Sequence, residues 1–187
     1  ELEIMWRCLK CGEMWPDKFN TKTNGVTHRR WLLHANPALS QLITEGIGPA
    51  WITHLEEIKS LEQFADDHAF AEAWTEVKAQ NKRALADYLM RELHLRVNPD
   101  SLFDVHVKRI HDYKRQVLNV LQVVARYLRI LDGRDVRPVP RTVMIGGKAA
   151  PGYAMAKLII KFINDVAGVI NADSSVSQRL QLVNLPN

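Results

Sequence analysis

Apolar residues in the first half of the chain recur at steps of three and four, the spacing of amphipathic helices. The longest such run extends from Asp67 to about Leu93 and predicts one long helix. A shorter helix is expected to begin at Asn36 and Pro37, because an N-cap asparagine followed by proline favours a helix start. The Gly-Ile-Gly segment over 46–48 is expected to end it. The first half is therefore predicted to be mainly helical.

A second short helix is expected between these two. Thr53-His-Leu-Glu56 has the spacing of a capping box, in which the two side chains satisfy backbone N–H groups at a helix start. This pattern predicts a helix over about 56–64. The helical half should end at Asn98-Pro-Asp100.

The second half of the chain changes to a different pattern. Phe103, Val105 and Val107 occupy alternate positions, which is typical of a strand with one buried face. The expected strands cover 102–110, 142–145 and 181–185, and the expected helices cover 113–131 and 153–170. Strand, helix, strand, helix, strand at these lengths indicates a parallel sheet with right-handed crossovers. The predicted fold class is α/β, a helical half followed by a βαβαβ sheet.

Composition narrows the class of protein. Of the 187 residues, 47% are hydrophobic and 25% are charged, which is typical of a globular chain and not of a disordered one. We find neither a run of about 18 apolar residues nor a signal-peptide pattern, so no membrane partner is expected and a cytoplasmic location is the default. Lys and Arg number 25 against 21 for Asp and Glu, a net charge of +4. A charge this small, with acidic residues interspersed, argues against a nucleic-acid binder.

The two cysteines do not indicate a metal site. Cys8 and Cys11 form a single CxxC without a second pair of ligands, so the usual four-ligand zinc spacing is missing. Incidental cysteines are favoured over redox chemistry, and no metal is expected.

Basic residues cluster where the first predicted strand meets the following helix: Lys108, Arg109, His111, Lys114 and Arg115. Parallel sheets bind ligands beyond the carboxyl ends of their strands, and helix N-termini favour negative charge. The position therefore predicts an anion site. A solvated basic patch is an equally good reading of the pattern alone.

A glycine-rich turn, Gly146-Gly147-Lys148, follows the second predicted strand. It is not a P-loop, because Thr142 stands where glycine is needed and Ala149 where Ser or Thr is needed. The dinucleotide fingerprint GxGxxG is also missing. The turn permits close backbone approach, and both a purely structural role and a ligand-lining role stay open.

Three segments resemble the glycogen and maltodextrin phosphorylase family closely. They are WPDKFNTKTNG over 15–25 with Arg29-Arg30-Trp31, NPDSLFDVHVKRIHDYKRQ over 98–116, and PRTVMIGGKAAPGY over 140–153. The resemblance extends from about Trp15 to Pro186 and leaves residues 1–14 unassigned. His28 departs from the family pattern, which usually has proline at this position.

This resemblance implies a retaining hexosyltransferase of the two-domain GT-B type that uses pyridoxal phosphate. Such enzymes attack the terminal α-1,4 bond of glycogen, starch or maltodextrin with inorganic phosphate and release glucose 1-phosphate. Residues 15–97 would form a mainly helical inter-domain segment, and 98–187 the start of the Rossmann-like, cofactor-binding domain. A homodimer under allosteric control is the family expectation.

The resemblance also implies roles for individual residues. Those expected at the site are Val107 and Lys108 near the cofactor, Arg109 and Lys114 on the substrate phosphate, Asn24 on the glucosyl unit, His111 supporting the active-site loop, and Tyr153 at the aromatic entrance.

The family's Schiff-base lysine is expected beyond the end of this chain. The chain is therefore expected to be a central fragment that binds pyridoxal phosphate poorly and is inactive in isolation. The alternative is a non-catalytic α/β module that binds a phosphosugar or a nucleotide with the same basic turn.

Overall fold

The computed structural model describes residues 25–136 and 139–186. It divides into two compact units, one up to Val77 and the other from Lys78 onward. Cys8 and Cys11, with the predictions made for them, lie outside the described residues.

The first unit is helical, as predicted. Its elements are a π-helix Arg29–His34, α1 Pro37–Ile47, two 3-10 helices Pro49–Ile52 and Leu55–Phe64, and the first part of α2, His68–Leu93. α1 begins as expected, because the Asn36 side chain accepts a hydrogen bond from the backbone N–H of Leu39 at 3.4 Å. Gly48, with φ at 78°, ends α1, whereas Gly46 lies within the helix.

The predicted capping box is wrong. The helix over Leu55–Phe64 is a 3-10 helix whose N-cap residue is His54, and no side chain caps it. The Thr53 hydroxyl instead donates to the carbonyl of Ala50 at 3.3 Å, at the end of the preceding helix. Thr53 therefore completes one helix and is not available to begin the next.

The second unit contains a three-stranded parallel sheet in the order β1-β2-β3, which confirms the predicted α/β class. The strands are β1 Leu102–Val107, β2 Arg141–Gly146 and β3 Leu180–Leu185, joined by α3 Gln116–Leu131 and α4 Ala154–Ala172. β1 is three residues shorter than predicted, and the buried face predicted for it is wrong at Val105 and Val107, which are 54% and 58% exposed on this edge strand. A single 3-10 turn, Asp112–Lys114, precedes α3, so this helix begins at Gln116 and not at Tyr113.

Helices cover the sheet on both faces. Val143 and Leu182 lie in a core with residues of α3 and α4, whereas Met144 and Val183 lie in a second core with Leu89 of α2. β2 is buried along five of its six residues, as expected of the central strand of a parallel sheet. The carboxyl-terminal half of α2 thus belongs to the second unit. The predicted domain assignment, with a boundary at residue 98, stays a prediction.

Candidate functional site

The carboxyl ends of β1 and β2 lie side by side, with Val107 opposite Gly146. Two further backbone bonds continue this pairing: the N–H of Lys108 donates to Gly146 O at 3.0 Å, and that of Ile110 to Lys148 O at 3.1 Å. The basic turn (residues 108–111) therefore runs beside the glycine turn (residues 146–152). Register alone brings together two motifs that are far apart in sequence.

Gly147 is required by this close approach. Its φ is 152°, and a Cβ atom built on it would lie 1.9 Å from the carbonyl oxygen of Lys108. No side chain can occupy that space unless the backbone of the basic turn moves. The glycine turn therefore has a structural role, and that role serves the adjacent basic segment.

An open pocket of about 540 Å³ lies between the two turns. Its polar and aromatic lining consists of Arg109, His111, Lys148 and Tyr153, and no carboxylate lines it. In the part of the chain that is described, the side chains of Arg109 and Lys148 have no hydrogen-bond or ion-pair partner. The pocket is therefore suited to an anion. Lys148 was not among the predicted site residues, although a lysine after a glycine pair at a strand end was the available signal.

Other predicted site residues lie around this pocket. Lys108 is exposed and Val107, the last residue of β1, is 58% exposed. The Lys114 ammonium lies 4.7 Å from the centre of the Tyr113 ring. None of these three is among the residues that line the pocket. Asn24 lies outside the described residues.

An aspartate links the aromatic residues of the site. Asp112 contacts His111 Nδ1 through its Oδ1 atom, and the His111 ring lies 4.9 Å from the Tyr153 ring. Hydrogen bonds from the Tyr113 backbone N–H and then from the Tyr153 hydroxyl lower the pKa of the Asp112 carboxyl. Partial burial, followed by the bond to Asp112, raises the pKa of the Tyr153 phenol. At neutral pH Asp112 is therefore a carboxylate and Tyr153 a neutral phenol. Their hydrogen bond fixes Tyr153, which lines the pocket.

The described residues contain neither a metal site nor a membrane-spanning helix. No group of three of their His, Cys, Asp or Glu side chains could hold a metal ion. No helix within the described ranges is long and apolar enough to cross a membrane.

Comparisons with a family model and with individual proteins all match this chain to phosphorylases. The family model of carbohydrate phosphorylases matches residues 8–187. A glycogen phosphorylase of Synechocystis sp. is 54% identical over 94% of this chain and 21% of its own length. Glycogen phosphorylase 2 of Dictyostelium discoideum is 52% identical over 94% of this chain and 18% of its own length.

The same region matches a vertebrate enzyme. The muscle form of glycogen phosphorylase from Oryctolagus cuniculus is 51% identical over 94% of this chain and 21% of its own length. The chain thus spans about a fifth of the length of these relatives. Because the family model covers nearly all of its residues, the chain belongs to the carbohydrate phosphorylase family.

Proposed function

We propose that this chain is a segment of an α-1,4-glucan phosphorylase, which transfers the terminal glucosyl unit of glycogen, starch or maltodextrin to inorganic phosphate. Glucose 1-phosphate is released with retention of the anomeric configuration. The observation that carries the proposal is the pocket at the carboxyl edge of the sheet, which is lined by Arg109 and Lys148 and by no carboxylate. The membership of the phosphorylase family supports the same reaction. The sheet and its helices would then be part of a GT-B fold.

Arg109 binds the substrate phosphate in this proposal, together with Lys114. A guanidinium group can hold two phosphate oxygens at once, which an ammonium group cannot do. Opposite unit charges about 4 Å apart attract by roughly 4 kcal/mol in a cleft of low effective dielectric, against about 1 kcal/mol in water. The position of Arg109 in a pocket therefore matters more than the number of basic residues.

The residues at the end of β1 fit the phosphate end of pyridoxal phosphate. Lys108 directly follows Val107, its side chain is exposed, and no carboxylate among the described residues pairs with it. When bound, the cofactor supplies a phosphate group that exchanges a proton with the substrate phosphate. Lys108, Arg109 and Lys114 offset the repulsion between the two phosphates and raise the local phosphate concentration, effects worth several kcal/mol together.

The remaining residues act on the glucan side of the site. His111, fixed by Asp112, supports the active-site loop, and Tyr153 forms part of the aromatic entrance. Asn24 contacts the glucosyl unit. A cytoplasmic homodimer is the proposed state of the full-length protein.

Arg109→Lys in the full-length protein tests this function. We expect the production of glucose 1-phosphate from maltoheptaose and inorganic phosphate to fall by about 100-fold or more, because the bidentate grip on phosphate is lost. Arg96→Lys, an exposed position outside the pocket, is the matched control and should retain activity. Near-normal phosphorolysis by Arg109→Lys would refute the role of Arg109. A parent protein that binds phosphosugars without phosphorolysis would support the alternative of a binding module.

A further inference from the structure

Gln116, the first residue of α3, has a fully buried side chain although it is polar. Its Nε2 atom donates to the carbonyl oxygen of Arg109 at 3.2 Å, and its Oε1 atom accepts from the backbone N–H of His111 at 3.5 Å. Only one orientation of the amide satisfies both partners, since one is an acceptor and the other a donor. A single side chain therefore fixes the backbone on both sides of Ile110.

Ile110 is held from the other side. Its side chain is 3% exposed in the core, and its N–H donates to the carbonyl of Lys148 at 3.1 Å. Backbone groups of three consecutive residues are thus fixed, while the side chains of Arg109 and His111 line the pocket. Gln116 itself is not among the lining residues, so it can act on a ligand only through these two neighbours.

Core filling alone does not explain a glutamine at this position. Val120 and Val123, also fully buried on α3, fill the core with apolar side chains. A buried amide is costly unless its polar atoms are paired, and here both of them pair with the basic turn. Arg115, directly before it, has φ at 63°, a left-handed conformation that is uncommon for a residue other than glycine. This conformation turns the chain from the 3-10 turn into α3.

We propose that Gln116 is a positioning residue, which holds the backbone of the basic turn so that the Arg109 guanidinium and the His111 ring stay in place for an anion in the pocket. The inference rests on the proposed function, in which that anion is inorganic phosphate. It adds a residue that touches neither phosphate nor glucan.

Gln116→Glu in the full-length protein is the first test, because it keeps the size of the side chain and replaces the Nε2 donor by an oxygen. Near neutral pH, a carboxylate repels the carbonyl of Arg109; once protonated, its O–H can donate again. We expect the KM for inorganic phosphate to rise about tenfold at neutral pH and to recover as the pH is lowered toward about 5.5. Gln122→Glu, the same change at an exposed position of α3, should leave KM unchanged.

Two measurements that do not depend on turnover accompany the kinetics. Hydrogen exchange of residues 108–111 should become faster, and calorimetric titration with inorganic phosphate should show weaker binding, in Gln116→Glu but not in Gln122→Glu. Gln116→Met removes both hydrogen bonds without adding a charge. It replaces Gln116→Glu if that variant does not fold, and its KM should rise without recovery at low pH.

The outcomes separate this inference from the proposed function. If Gln116→Glu and Gln116→Met match the parent in KM, phosphate affinity and exchange, or only unfold at a lower temperature, Gln116 has no positioning role. If the parent shows no phosphorolysis, the proposed function fails. Faster exchange and weaker phosphate binding confined to the Gln116 variants would support the positioning role even then.

Discussion

The two edges of the parallel sheet both carry arginines, but most of those at the amino edge are paired with a carboxylate. At the carboxyl edge, Arg109 and Lys148 line a pocket and have no ion-pair partner among the described residues, while the nearby Asp112 is bonded to His111 and Tyr153.

At the amino edge, a smaller pocket of about 260 Å³ is also lined by no carboxylate, but the Nη1 atom of its Arg141 lies 3.2 Å from the Asp104 carboxylate outside the lining. Arg96 in the same lining is exposed and has no ion-pair partner among the described residues. Arg126 of α3 and Arg179, in the loop before β3, both contact the carboxylate of one aspartate, Asp135, at 3.4 Å.

Pairing with a carboxylate, and not the number of arginines, therefore distinguishes the proposed binding edge from the other edge. An arginine that already has a carboxylate partner must lose that partner to bind a phosphate, and the exchange gains little. An arginine without one has no ion pair to break first, so more of its attraction to a phosphate remains after desolvation. Both edges would look equally basic in a count of charges.

Asp135→Asn should have the largest effect, because the amino edge depends on this buried carboxylate. The side chains of Asp135 and Arg126 are only 5% and 6% exposed. Removing one charge of a buried pair costs about 3–5 kcal/mol, so native-state hydrogen exchange should show α3 and β2 of the full-length protein opening more easily by that amount. The KM for phosphate should stay unchanged.

Asp132→Asn provides the matched control. Asp132 pairs with Arg134 at the surface, where their side chains are 50% and 73% exposed. Surface pairs of this kind contribute about 0–1 kcal/mol. A large change in phosphate KM in Asp135→Asn, with exchange unaltered, would contradict the division between the two edges.

Gly147→Ala should damage the carboxyl edge more selectively. The new Cβ atom would collide with the carbonyl of Lys108, so the basic turn must move. We expect a loss of roughly 2–3 kcal/mol in stability, measured by thermal unfolding, and a higher KM for phosphate. In Gly152→Ala, the added Cβ atom meets no other atom within 4 Å, and both quantities should stay near those of the parent. Equal behaviour of the two variants would show that the close approach does not support the site.

The sequence predicted the elements of the sheet better than it predicted the contacts of the site. Strand β1 and helix α3 could be predicted from local side-chain patterns. The buried face predicted for β1 could not, because burial depends on what packs against an edge strand. The placement of Lys148 beside Arg109 depends on the register of β1 with β2, which no local pattern specifies. The capping box failed for a local reason. The Thr53 hydroxyl could bond either to the helix before it or to the helix after it, and the spacing alone could not show which.

Each edge also holds a tyrosine that is hydrogen-bonded to an aspartate. The Tyr127 hydroxyl donates to Asp173 Oδ2 at 2.9 Å, and the Tyr153 hydroxyl bonds to Asp112. The pKa of Asp173 is lowered by the Ser175 hydroxyl first and by Tyr127 second. The pKa of Asp112 is lowered by a backbone N–H first and by Tyr153 second. The two pairs are therefore chemically matched and differ in the edge that they occupy.

Tyr153→Phe should have the smallest effect, and it compares the two edges most directly. The pKa of Asp112 should rise part of the way to its ordinary value, because the backbone donor remains. Since that pKa is lower in the folded state, the carboxylate stabilises the fold above about pH 4, and this contribution is lost as the pH falls through the folded pKa. Carboxyl NMR titrations should also show a raised pKa for Asp173 in Tyr127→Phe.

The kinetic effects of the two variants should differ. Only Tyr153→Phe should alter the KM for glucan or phosphate, because only Tyr153 lines the pocket. Equal KM changes in both variants would mean that the edges do not differ in function.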